Sequence, residues 1–220
     1  MSMFRLTERF ARALFAGLIA FAVVGARAQC PTTLVERYIP ADCEACWSAG
    51  VAPAPGSFVL DWIVPSPRGD AAPLAAAAMA ESVPRVVGLG NDATLERRHA
   101  LASGGPQVEI ADGPAWNGYI ALRLTVKRGS APLPGRVAGF VALVETVPAG
   151  EEGTPVARRV VRAVAGPLTL DPGLTRIEHM NAVRIPIGAN VGRLGAVGWV
   201  QDGEGRVIAL AGTDADSCPR

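Results

Sequence analysis

The residues of this sequence most able to carry chemistry are two cysteines in the segment DCEACW. Two residues separate Cys43 from Cys46, and Asp42 can cap a helix whose first turn would hold both sulfurs within reach of a disulfide. The N-terminal end of a helix carries partial positive charge, which lowers the pKa of a thiol placed there. We therefore expect Cys43 to be the exposed attacking thiolate and Cys46 the buried resolving thiol. Glu44 beside Cys43 disfavours a thiolate, so the pair should be less oxidising than that of a periplasmic oxidase.

The beginning of the chain has the features of a secretory signal peptide. Arginines in the first twelve residues precede an apolar run from Ala13 to Ala26. Ala28 and Ala26 then place small residues at both positions that a signal peptidase inspects. The run is about 14 residues, shorter than the roughly 20 that a membrane-spanning helix needs, which favours cleavage over a retained anchor. The sequence therefore predicts a signal peptide over residues 1–28 and a periplasmic or secreted mature protein.

Cys30 and Cys218 are the two other cysteines of the mature chain. In an oxidising compartment an even number of cysteines indicates disulfides, and four cysteines allow three pairings. Cys43 and Cys46 are the local pair, which leaves Cys30 with Cys218 if all four are oxidised. We interpret that second pair as a structural disulfide between the mature N-terminus and the C-terminal tail. A second redox couple that exchanges with Cys43 is the alternative.

Residues 29–112 combine strand and helix patterns. β-branched and apolar runs bounded by Gly and Pro indicate strands, and alanine-rich stretches indicate helices. Strands are predicted at 34–39, 57–64 and 106–110, and helices at the cysteine pair, at 72–82 (APLAAAAMAES) and at 93–103 (ATLERRHALAS). This order predicts a small α/β unit.

From residue 113 onward the helical signal disappears. YIALRLTVK over 119–127 alternates strictly between apolar and other residues, and Asp202-Gly203 predicts a hairpin turn. Turns rich in Gly, Pro and Asp separate six predicted strands at the spacing expected of a β-sandwich. The predicted strands are 119–127, 136–147, 156–164, 177–187, 194–201 and 206–211.

Three segments resemble a family of secreted bacterial thioredoxin-like proteins of unknown function. LVERYIPADCEACW is similar to the family's opening strand and C-x-x-C motif, and RHALASGGPQVEIADG to its helix followed by a T-P-Q-x-V-V-x-G strand. AVGWVQDGEGRVIALA is similar to its closing hairpin, which carries a V-Q-D-x-x-x-G-R-V-L motif. The resemblance covers most of the mature chain. It implies an α+β fold, in which a small thioredoxin-like α/β unit (29–112) is followed by an antiparallel β-sandwich (113–220).

The resemblance also implies a role for Pro106. In thioredoxin-like proteins a cis-proline faces the two cysteines and shapes the substrate groove, and Pro106 is the matching position. Cys43, Cys46 and Pro106 would then form the catalytic group.

The function predicted from these features is thiol–disulfide exchange with other exported proteins, without a cofactor or a metal ion. A net charge of +1 gives no sign of a nucleic-acid or anionic-membrane partner. No Ser-His-Asp or H-E-x-x-H pattern supports a hydrolase. One alternative is a non-enzymatic periplasmic binding or structural protein, in which both disulfides are structural. The other is a copper-handling protein, in which His179 and Met180 join Cys43 and Cys46 as soft ligands.

Overall fold

The computed structural model describes residues 31–90, 95–101, 104–130, 135–170 and 173–213. The predicted signal peptide, Cys30 and Cys218 lie outside these ranges. Among the described residues, no helix has the length and apolar character needed to cross a membrane.

Most of the described chain is β-structure. Its strands are β1 (Thr33–Pro40), β2 (Ser57–Val64), β3 (Leu95–Ala100), β4 (Gln107–Asp112), β5 (Tyr119–Lys127), β6 (Val137–Val147), β7 (Arg158–Leu170), β8 (Arg176–Arg184), β9 (Leu194–Asp202) and β10 (Val207–Gly212). Its α-helices are short: α1 (Glu44–Ser48) and α2 (Val83–Val86). Single turns of 3-10 helix occur at Gly69–Ala71, Ala75–Ala77, Ala80–Ser82 and Val191–Arg193.

The strands form two sheets. The larger has seven strands in the order β10-β9-β6-β7-β2-β1-β3, and the smaller has three in the order β4-β5-β8. β2 is parallel to both β1 and β7, and the other pairs are antiparallel. Both sheets take strands from each side of residue 113, the predicted domain boundary.

The predicted α+β fold with a thioredoxin-like α/β unit is wrong, because two of its helices do not form. The segment predicted as a helix over 93–103 contains β3, which pairs with β1 along its whole length. The helix predicted over 72–82 is replaced by 3-10 turns. The backbone N–H groups of Leu74 and Met79 donate to Ala41 O and Ile63 O, both at 3.0 Å, and these bonds to the ends of β1 and β2 compete with a regular helix.

Strand predictions elsewhere are confirmed within about three residues at each end, except that β7 continues to Leu170, past its predicted end at 164. β1, β2 and the strands from β4 to β10 each cover most of a predicted segment. The predicted hairpin turn between β9 and β10 is also confirmed. Asp202 Oδ1 accepts hydrogen bonds from the backbone N–H groups of Glu204 (3.0 Å) and Arg206 (2.9 Å).

The two faces of the seven-stranded sheet cover different apolar clusters, since side chains alternate along each strand. One face carries an aromatic cluster that includes Tyr38, Trp62 and Trp199. The opposite face packs on the three-stranded sheet over part of its width. Elsewhere on that face, a third cluster around Ile39, Ile63 and Trp47 supports α1.

Candidate redox site

Cys43 and Cys46 form a disulfide at the start of α1, directly after β1. Their Cα atoms are 5.2 Å apart, and both residues are half-buried. Cys43 itself is the N-cap residue, the position predicted for Asp42, and its Sγ accepts a hydrogen bond from the backbone N–H of Cys46 at 3.3 Å. The structure therefore confirms a C-x-x-C pair that follows a strand and opens a helix. The helix is only five residues long, so its contribution to thiolate stability is smaller than a full helix would supply.

The two sulfurs have different surroundings, although less so than predicted. Cys46 packs against the third apolar cluster, which Cys43 does not contact. A thiol at Cys46 would therefore be the less hydrated of the two. The assignment of Cys43 as attacking and Cys46 as resolving residue stays a prediction.

A buried arginine fixes the end of α1 to the sheet. The guanidinium of Arg158 on β7 donates to Trp47 O (2.5 Å) and to Thr154 Oγ1 (2.8 Å), and its Cζ lies 4.6 Å from the centre of the Trp47 ring. Burial lowers the pKa of Arg158, and the charge of Asp61 opposes that effect. Arg158 thus holds the residue that follows the second cysteine through a hydrogen bond to its backbone carbonyl and a cation–π contact with its ring.

Asp61 on β2 is the carboxylate at the centre of this arrangement. It is fully buried, and its Oδ1 accepts from Arg37 Nε (2.5 Å) and Arg158 Nη1 (3.4 Å). Arg37 also reaches Val51 O at 3.5 Å, beyond the end of α1. The sequence signal that could have indicated this buried carboxylate is its position inside the apolar run FVLDWIV, where a charged residue must be paired.

Trp47 connects the turn that carries Cys43 and Cys46 (the redox turn) to a neighbouring cleft. Its indole is buried, and Nε1 donates to Glu152 O at 2.6 Å. One side of the ring borders a cleft of about 150 Å³ that also touches β6, β7 and the segment before α2. The cleft is lined by Trp47, Ile63, Pro73, Leu74, Ala76, Ala77, Glu145, Val147, Glu152, Val160, Arg162 and Gly188.

The structure does not bring Pro106 to the cysteines. Pro106 precedes β4 in the three-stranded sheet, whereas Cys43 follows the C-terminal end of β1 in the larger one. The chain before Pro106 leaves β3 where Leu101 N–H donates to Thr32 O, at the opposite end of β1. Within the described ranges the cis peptide bond is Gly166–Pro167, and Gly105–Pro106 is not cis.

The copper ligands considered from the sequence are also not assembled. His179 and Met180 lie on β8, where Met180 is 62% exposed and His179 Nε2 is 3.2 Å from Thr169 O. In the part of the chain that the structure describes, no three His, Cys, Asp or Glu side chains are grouped to hold a metal ion.

No family model and no curated protein matches the chain. Among solved structures, the chain is similar to HBP35 of Porphyromonas gingivalis. The TM-score is 0.55 at 7% sequence identity, over 84% of this chain and 76% of that one. A likeness at this identity concerns the fold alone, so the thioredoxin-like family predicted from the motifs is not confirmed.

Proposed function

We propose that this protein is exported and exchanges thiols and disulfides with other exported proteins through Cys43 and Cys46. The observation that carries the proposal is the disulfide between Cys43 and Cys46, two half-buried residues at the start of a helix. A bond in such a position is open to attack by a partner thiolate. The backbone N–H of Cys46, which donates to Cys43 Sγ, would also stabilise negative charge on that sulfur after reduction.

The exchange proceeds in two balanced steps. A partner thiolate attacks Cys43 Sγ, forms a mixed disulfide and releases Cys46 as a thiolate, which takes up a proton. A second partner thiolate then attacks the partner sulfur of the mixed disulfide and releases Cys43. Two partner thiols are oxidised to one disulfide, and the Cys43–Cys46 disulfide is reduced to a dithiol. The reverse sequence reduces a partner disulfide.

The disulfide also supports the export part of the proposal. Disulfides persist in the periplasm and outside the cell and are rare in the cytosol of mesophiles. The predicted signal peptide over residues 1–28 would deliver the chain to such a compartment.

The first test is the reduction potential of the mature protein, measured by equilibration with glutathione buffers, alkylation and mass spectrometry. An exchanging pair should have a potential above about −300 mV, the region below which structural disulfides fall. A potential below that value would make the disulfide structural, as in a non-enzymatic protein.

The second test uses the two single-cysteine variants as a matched pair. Cys46→Ala leaves Cys43 to form a mixed disulfide with a disulfide-bonded peptide, and the complex should accumulate because no resolving thiol is present. Cys43→Ala leaves Cys46, which contacts the apolar cluster and should react more slowly. Equal rates would contradict the assigned roles, and no mixed disulfide in either variant would contradict the proposed exchange.

A further inference from the structure

The three-stranded sheet has an open edge at β8. β8 pairs with β5 over its whole length, and no described strand pairs with its other side. At Ala182 and Arg184 this edge borders a second cleft, of about 380 Å³, whose other walls are β7 and the segment Ala78–Glu81. This end of β8 therefore lies next to open space, and an edge of this kind is a template for another strand.

The backbone bonds at the two ends of β8 determine which of its groups face the open edge. Arg128 N–H donates to Thr175 O at 2.9 Å, and Ile185 N–H donates to Gly118 O at 2.8 Å. In an antiparallel ladder every second residue bonds to the partner strand, so the odd-numbered residues of β8 bond to β5 and the even-numbered ones point away from it. Within the described ranges, no backbone hydrogen bond joins these outward groups to another segment. They belong to Arg176, Glu178, Met180, Ala182 and Arg184.

The side chains of these five residues are exposed, and two copies of them are complementary in charge. Two β8 strands that pair antiparallel are related by a two-fold axis, so each residue lies opposite a fixed residue of the other copy. With the axis at Asn181, each Glu178 lies opposite an Arg184. Each Met180 then lies opposite an Ala182. Opposite charges at such cross-strand positions are stabilising, and like charges are destabilising.

Two neighbouring registers are less favourable. An axis at Met180 places Arg176 opposite Arg184, and an axis at Glu178 places the two Glu178 side chains opposite each other. Within one chain Glu178 contacts Arg123 (3.6 Å) and Arg176 (2.9 Å), whereas no acidic side chain of the described residues pairs with Arg184. The register centred at Asn181 avoids both repulsions and gives Arg184 a carboxylate.

We propose that two copies of the mature protein pair through the open edges of β8, antiparallel around Asn181, and join their three-stranded sheets into one sheet of six strands. Backbone hydrogen bonds between the even-numbered residues hold the two strands together. Glu178 and Arg184 form two ion pairs across them. One strand edge is a small interface, so the dimer belongs to the weak, reversible class.

The association is measured by analytical ultracentrifugation of the mature protein between about 10 µM and about 1 mM, the range of weak dissociation constants. Free thiols are alkylated first, so that no intermolecular disulfide contributes. We expect a reversible equilibrium between monomer and dimer. A monomer at every concentration would overturn the proposal.

A charge swap tests the register. Glu178→Arg and Arg184→Glu each place like charges across the axis twice, so each should raise the dissociation constant by about 10-fold or more. The combined variant restores opposite charges and should recover the original value. The two positions are about 20 Å apart along one strand, so an effect within one chain does not explain a recovery. Without that recovery the proposed pairing is wrong.

Arg176→Glu is the matched control for Arg184→Glu, because it makes the same change in charge on the same strand. In the proposed register Arg176 lies opposite residue 186, outside β8, so the dissociation constant should change little. A tighter dimer in this variant would place the axis at Met180 and contradict the register centred at Asn181.

Ala182→Pro tests whether the backbone edge itself is the interface. Proline removes one N–H from the open edge, a position in which a strand tolerates it, so the circular dichroism spectrum should be retained. The dimer should be lost at about 1 mM, whereas Ala182→Ser, which keeps the N–H, should still dimerise. An unchanged dissociation constant in folded Ala182→Pro would exclude pairing through β8.

Discussion

Two carboxylates are buried in neighbouring strands of the seven-stranded sheet, and each lies between two cationic or ionisable partners. Asp61 on β2 pairs with Arg37 and Arg158. Glu36 on β1 contacts Arg85 Nη1 at 2.8 Å and His99 Nε2 at 3.0 Å. The two groups occupy opposite faces of the sheet, Asp61 towards the redox turn and Glu36 towards the aromatic cluster.

The Glu36 group connects the edges of the sheet. His99 Nδ1 accepts from the backbone N–H of Val207 at 3.1 Å, so β3 and β10, the two edge strands, meet through this side chain. That bond leaves the proton of a neutral His99 on Nε2, where it is donated to Glu36. Arg85 enters from α2, and its Cζ lies 4.5 Å from the centre of the Trp62 ring. The contacts described for this group join parts of the sheet and α2 to one another, and none of them involves the redox turn.

The Asp61 group differs because its arginines also donate to the redox turn. Arg158 reaches Trp47 O and Arg37 reaches Val51 O, so they fix both the end of α1 and the residues after it. The two buried ion-pair groups therefore have different roles: the Glu36 group stabilises the sheet, and the Asp61 group also positions the redox turn. Removing Glu36 should cost global stability without altering the disulfide, whereas changing Arg158 should alter the disulfide at a smaller cost in stability.

The largest effect is expected for Glu36→Ala. Arg85 and His99 would lose a buried acceptor, and breaking one partner of a buried pair costs about 3–5 kcal/mol in the free energy of unfolding. The rate of reduction by dithiothreitol, measured under folding conditions, should be unchanged. Glu178→Ala is the control, because Glu178 contacts Arg123 and Arg176 at the surface and should leave stability unaltered. A changed reduction rate in Glu36→Ala would remove the distinction between the two groups.

Arg158→Lys is expected to have a smaller effect on stability, about 1–3 kcal/mol, because an ammonium cannot replace the planar fork or its stacking. With Trp47 O no longer held, the disulfide should be reduced several-fold faster by dithiothreitol. Arg159→Lys is the matched control. Arg159 is the next residue on β7 and stacks on Phe58, on the other face of the sheet, so its reduction rate should equal that of the unmodified protein. Equal rates in all three proteins would show that the Asp61 group does not act on the redox turn.

Acid should weaken the Glu36 group. Burial by itself raises the pKa of Glu36, but the hydrogen bond from His99 and the charge of Arg85 outweigh burial, so the folded pKa lies below the ordinary value of 4.5. Because the pKa is lower in the folded state than in the unfolded state, ionised Glu36 adds to the free energy of unfolding. This contribution is fully present above about pH 4.5 and is lost as the pH falls through the pKa of the folded state. The free energy of unfolding between pH 6 and 3 should therefore fall more steeply for the unmodified protein than for Glu36→Gln. Parallel curves would assign the acid sensitivity to other groups.

The redox turn could be predicted from the sequence because its determinants are local: the two cysteines are three positions apart. The groups that support it are not local, since Asp61 and Arg158 are 97 residues apart and Glu36 and His99 are 63 apart. β3 illustrates the same difference. LERRHA is rich in helix-forming residues, but pairing with β1 turns Arg97 and His99 towards Glu36 and overrides that propensity. No pattern within the segment LERRHA indicates that β1 is the strand with which it pairs.

The smallest effect is expected for Trp47→Phe, which tests whether the redox turn depends on Arg158 alone. Phenylalanine keeps a ring under the guanidinium of Arg158 but removes the hydrogen bond from Nε1 to Glu152 O. Loss of one such bond should lower the free energy of unfolding by about 1 kcal/mol, measured by denaturant titration. The reduction rate should stay near that of the unmodified protein, because Arg158 would still hold the carbonyl of residue 47. An acceleration as large as that of Arg158→Lys would instead mean that the indole, and not the buried arginine, is the main anchor of the turn.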